Sequence, residues 1–166
     1  MSRASVTSNL SAALSTSDFL IALAQVPEVK GAAWHGLNGG PWQLFDATID
    51  KRDLRPRPVY FGLRVLRAVD LPIVLGTRTR SPHFSGYGGG YDVRGVAFTE
   101  PSARRLGLWV VNRAARPTEV DLVHREWRNQ IVSARHYFLA GRDGVNPDEA
   151  SLEPSVELQP GAQELR

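Results

Sequence analysis

The chain has no cysteine. Disulfides and a thiolate-held zinc are therefore excluded, which fits a reducing compartment. Lysine is almost missing: Lys30 and Lys51 are the only two, so nearly all the positive charge behind the net +3 is arginine. No charged leader precedes an apolar run, and Met1 to Asn9 are mostly small and polar. Neither a signal peptide nor a membrane span is expected, and a cytoplasmic location is the default. Internal repeats and low-complexity tracts are lacking as well. His35, His83, His124 and His136 are scattered, with no pair at metal-ligand spacing beside a carboxylate. No strand directly precedes Gly88-Gly89-Gly90 and no Lys-Ser/Thr follows it, so it is not a phosphate loop. There is no G-x-S-x-G elbow either. No metal and no cofactor are expected.

What is present is enough for a core. The 166 residues are 42% hydrophobic, too apolar for a disordered chain and long enough for one domain, or a small domain plus a piece of another. A nucleic-acid partner would require arginines clustered on one face with stacking aromatics between them. The densest run, Lys51 to Arg57, is broken by Asp53 and Pro56, and Arg64 and Arg67 mark the wet side of a helix. Neither a nucleic-acid nor a membrane partner is expected.

The apolar spacing of Leu10, Ala13, Leu14, Ser17, Leu20, Ile21 and Ala24 predicts a helix that Thr7 or Ser8 caps and Pro27 ends. Val29 to Trp34 is apolar on consecutive positions and reads as a short parallel strand. Gly36, Gly39, Gly40 and Pro41 form a loop, Trp42 to Phe45 extends from it, and Ala47 to Pro56 reads as irregular. A second helix starts near Pro58, with a stripe of Val59, Leu63 and Leu66, and stops at Asp70-Leu71-Pro72. From there the pattern changes. Strands are expected at Ile73 to Thr79, Val93 to Thr99, Leu106 to Asn112, Glu119 to Val123 and Ala134 to Leu139, with a last one at Val156 to Leu158. Turn signals separate them, as in an antiparallel sandwich. The expected fold is α+β.

The order of motifs carries more than any one of them. An aromatic, glycine-rich loop (Pro82 to Tyr91) leads into Val93 to Phe98, and Leu106 to Val111 ends in Asn112-Arg113. Upstream stand Asp18-Phe19-Leu20 with Leu23, then Val29-Lys30-Gly31-Ala32-Ala33, then Arg57-Pro58-Val59-Tyr60-Phe61-Gly62-Leu63. Downstream come Leu139-Ala140-Gly141, Asn146 and Glu153-Pro154. Over residues 8 to 160 this order resembles the C-terminal part of the family 51 glycoside hydrolases, the α-L-arabinofuranosidases. The resemblance implies that residues 1–70 are the incomplete last repeat (helix, strand, helix) of a catalytic (β/α)8 barrel. Residues 71–160 would be the jelly-roll-like β-sandwich that follows it, and 161–166 a tail.

In that family two glutamates from earlier barrel strands do the chemistry, and the resemblance places both upstream of this chain. A retaining glycosidase needs a carboxylate pair roughly 5–5.5 Å apart. Glu126, beside Trp127, and Asp148-Glu149 are poor substitutes, read as solvated turn charges. No catalytic residue is therefore assigned here, and enzyme status is left open. The candidate substrate contacts are Trp34, His35 and Asn38, with Trp42 nearby, because the C-terminal end of a barrel strand opens onto the active-site face. A tryptophan face stacks on a sugar ring, while His35 and Asn38 can bond hydroxyls. Alternatively, Trp34 and Trp42 only fill the barrel mouth. The family carries polar amides where this chain reads Ala33-Trp34-His35-Gly36, which leaves the identity of the sugar open.

Two functions compete. One is the C-terminal portion of an arabinofuranosidase-like hydrolase, inactive alone. Its partners would be an arabinofuranoside or related oligosaccharide in the complete enzyme, and the missing barrel segment or further subunits of a homo-oligomer. The other is a non-catalytic carbohydrate-binding or interaction module. Such a module has no use for the apolar helices of the first seventy residues, which favours the hydrolase.

Overall fold

A computed structural model describes residues 10–34, 36–37, 43–47, 54–82, 90–114, 117–123, 134–136, 139 and 156–158. Helix α1 (Leu10–Ala24) is rich in alanine and leucine, and its β-branched residues Thr16 and Ile21 are isolated from each other. It ends in a tightened turn: Gln25 N–H donates to Ala22 O, and the Gln25 side-chain amide donates to Ile21 O at 3.1 Å. Helix α2 (Pro58–Arg67) starts with proline in its first turn after an extended Arg57, without a side-chain cap. Arg64 and Arg67 are exposed as expected, and Arg67 pairs with an equally exposed Asp70, a contact that contributes little.

The two helices cross closely because small residues line the contact. A Cβ added at Gly62 would lie 3.3 Å from Ser17 Oγ and 3.5 Å from Ala13 Cβ. Ala12, Ala13 and Thr16 are buried on α1, and Val59 and Leu66 on α2. The predicted α1 stripe missed Ala12 and Thr16. This helix buries two faces, one toward α2 and one toward a sheet, so no single stripe describes it.

The segment predicted as a barrel strand did not form one. Val29 to Trp34 has no strand pairing, and residues 29–33 are exposed. A parallel strand exists only through its neighbours, and among the described residues none pairs with it. By contrast, β1 (Phe45–Ala47) and β2 (Leu54–Pro56) pair antiparallel, Phe45 opposite Pro56, where an irregular stretch was expected over Ala47 to Pro56. Strands of three residues are too short to show alternation.

The central sheet is antiparallel, in the order β3 (Ile73–Leu75), β4 (Val93–Thr99), β5 (Leu106–Asn112). The ends of β4 and β5 coincide with the prediction. Their connection turns at Pro101-Ser102, with Ala103 at φ 51° and the Thr99 hydroxyl donating to Arg105 O at 2.9 Å. Val96 and Phe98 of β4 face α1 with Val111 of β5, and Ile21 of α1 inserts among them. Leu14, Ala24, Val69, Leu71 and Trp109 surround this cluster. The Phe98 and Trp109 rings lie 4.4 Å apart between centroids, tilted by 53°. Trp109 Nε1–H is buried and meets no acceptor among the described residues.

The result is α+β, as expected, but the sheet is open and three-stranded, with α1 over one face. No second sheet covers its other face among the described residues, and Val110 there is exposed. The strand expected at Glu119 to Val123 is irregular, with Leu122 and Val123 exposed. Further along, β6 (Ala134–His136) pairs antiparallel with β7 (Val156–Leu158), and Leu139 makes an isolated bridge. These cover part of the expected Ala134 to Leu139 strand and the expected last strand.

Gly107, on the covered face of β5, leaves room for the chain entering β3. A Cβ there would fall inside the Val69 side chain and 3.0 Å from Leu71 Cδ1. Val69 is short and branched, so it cannot swing aside. Gly107→Ala is expected to cost about 1–3 kcal/mol of stability through overpacking, despite the gain in strand propensity. Urea unfolding followed by circular dichroism would show the midpoint falling.

Candidate functional site

Trp34 is half-buried, and its ring packs on the cluster of Ala12, Leu44 and Val59, alongside Phe45, Tyr60 and Leu63. Its indole N–H donates to Gly36 O at 3.1 Å. The same carbonyl accepts Leu44 N–H at 3.1 Å, and Leu37 O accepts Phe45 N–H at 3.0 Å. These bonds bring both ends of the 36–44 loop together and hold them beside the start of α2, where Arg57 N–H donates to Leu44 O at 2.8 Å. Trp34 thus anchors the loop while keeping part of its surface exposed. His35, Asn38 and Trp42 lie outside the described residues.

A second feature had no signal in the sequence. Asp18 of α1 reaches two arginines on the covered face of the sheet. Its Oδ1 lies 2.8 Å from Arg94 Nε, and its Oδ2 accepts from Arg113 Nη1 at 3.2 Å. The Arg94 contact is off the N–H axis and acts as a charge–charge attraction rather than a directed bond. All three side chains are largely buried, at 17% exposure for Asp18, 24% for Arg94 and 13% for Arg113. The tie fixes the angle between α1 and the sheet across 95 residues of sequence. Separation of that size is invisible to local pattern.

Beyond α1 and α2 lies an open, apolar cleft of about 360 Å³, lined by Leu20, Leu23, Val29, Leu63, Val74 and Trp109 among others. The unpaired 29–32 segment forms part of its wall. Its lining is mostly apolar; Lys30 and Arg67 are its charged members, and no carboxylate or histidine is among the lining residues. Glu126, Asp148 and Glu149 lie outside the described residues. Among the described residues, no group of three His, Asp or Glu side chains converges as a metal site, and no helix is long and apolar enough to cross a membrane. Asp18 is committed to its arginines, so its role there is structural.

Compared with protein-family models, with curated proteins and with solved structures, the chain matches none.

Proposed function

We propose that this chain is the C-terminal portion of an α-L-arabinofuranosidase-like glycoside hydrolase. Residues 1–70 are then the last barrel repeat and 71–160 the C-terminal β-sandwich. In the complete enzyme two glutamates outside this chain carry the retaining hydrolysis of terminal α-L-arabinofuranosides. Trp34, His35 and Asn38 line the sugar from the barrel mouth.

The observation that supports this reading is the apolar cleft with the unpaired 29–32 segment in its wall. Leucines from two packed helices face open space, and Val29 to Trp34 has a strand's composition without a strand's neighbours among the described residues. Both fit a repeat whose adjacent repeats are missing. Trp34 beside the 36–44 loop is consistent with a residue at the open end of a barrel strand.

The test is direct. The purified chain is expected to give no turnover of a chromogenic α-L-arabinofuranoside, because nucleophile and proton donor are both elsewhere. Joined in one chain to the barrel of a family 51 enzyme, it is expected to support turnover. Steady hydrolysis by the isolated chain, abolished by changing one of its own carboxylates, would overturn the proposal. Tight sugar binding by the isolated chain, with no gain from the added barrel, would favour the binding-module alternative.

A further inference from the structure

Strand β3 was expected to run from Ile73 to Thr79, but its backbone ladder with β4 stops at Leu75 opposite Ala97. Beyond that point the chain continues alongside β4, held by hydroxyls. Thr77 Oγ1 accepts Ala97 N–H at 2.9 Å and donates to Leu75 O at 2.9 Å. Thr79 Oγ1 accepts Gly95 N–H at 3.2 Å and lies 3.3 Å from Gly95 O. Ser81 Oγ accepts Val93 N–H at 2.9 Å. At the far end Pro82 O accepts Asp92 N–H at 3.0 Å. Every second residue, Thr77, Thr79 and Ser81, is turned toward β4, while Gly76, Arg78, Arg80 and Pro82 are exposed.

We propose that residues 76–82 are a releasable strap, a conformational device that covers the edge of β4 and leaves it without unfolding the sheet. Its ends are fastened by backbone bonds at Leu75 and Pro82, and its middle is held by three side-chain rungs. A hydroxyl rung opens by rotation about a single side-chain bond, whereas a backbone ladder must open cooperatively. Gly76 at the entrance has nothing within 4 Å of its Cβ position, so no neighbour crowds that side of the hinge end. Alternation along β4 separates the consequences. Val93, Gly95 and Ala97 point their N–H groups at the strap, so those of Arg94, Val96 and Phe98 point at β5. Release exposes the N–H groups of Val93 and Gly95, while Ala97 stays opposite Leu75 in the ladder, and it offers the alternating template with which an extended chain pairs.

Residue-resolved hydrogen exchange on the full chain tests this. Thr77→Val, Thr79→Val and Ser81→Ala combined should accelerate exchange at Val93 and Gly95 about 10-fold, the scale of one lost hydrogen bond each. Arg94, Val96 and Phe98 should stay within about 2-fold of the original. Thr77→Ser with Thr79→Ser retains the rungs and should leave both sets near their original rates. Equal acceleration of both sets would mean that the sheet opens as a whole, and unchanged rates in the first set would mean that the hydroxyls hold nothing. Either result overturns the strap. Should the triple variant not fold, Thr79→Val alone should accelerate Gly95 and spare Val96, and failure to do so is equally decisive.

Discussion

Replacing Ile21 with alanine is expected to lower the stability of α1 and of the sheet together, by about 2–5 kcal/mol. Ile21 is fully buried and touches both strands of the β4–β5 hairpin through the cluster of Val96, Phe98 and Val111. Truncation removes three carbons and leaves a cavity walled by those side chains, which the paired strands cannot collapse to fill. Native domains are stable by only about 5–15 kcal/mol, so this single change removes a large share. Urea unfolding watched by helix circular dichroism and by tryptophan fluorescence should give one coincident, lowered transition. Two transitions, with only the helical one displaced, would show that α1 and the sheet unfold separately.

Removing the charge on Asp18 should be nearly as severe. Asp18→Ala leaves two guanidiniums in a site with little water and no carboxylate between them. Breaking a fully buried ion pair costs about 3–5 kcal/mol, and the residual exposure of these groups reduces that to about 2–4 kcal/mol. Asp18→Asn keeps the shape and one acceptor and should fall between. The penalty comes from stranding the arginines, so adding Arg94→Met to Asp18→Leu should recover part of the loss. If Asp18→Ala unfolds at the same urea midpoint as the parent chain, the tie contributes nothing to the position of α1.

Both residues stand in a helix that the sequence reveals readily, yet neither role could be read there. Asp18 looks like an ordinary polar position in α1, and its partners lie in strands far along the chain. Ile21 belongs to the visible stripe, but nothing local says that it meets a sheet while Ala13, about two turns away, meets another helix. The candidate site was similarly half legible. Trp34 was singled out for its aromatic face, and the structure adds that its N–H secures the neighbouring loop. The apolar cleft was foreshadowed only by leucines with no stated destination.

By itself the sequence determined the elements whose signals are local. Helix α1 follows from a run of good helix formers ended near Pro27, and α2 from Pro58 in its first turn followed by an apolar stripe. Strands β4 and β5 follow from long alternation on either side of Pro101-Ser102. Tertiary structure decided everything that depends on a partner. Val29 to Trp34 has the composition of a buried strand and forms none, because backbone N–H and C=O groups form a ladder only against another backbone, and no partner lies among the described residues. Thr77, Thr79 and Ser81 continue the alternation of β3, yet their hydroxyls replace its backbone rungs, since a short side chain that both donates and accepts can stand between two strands. Local propensity selects what a segment can be, and the neighbour it meets selects what it is.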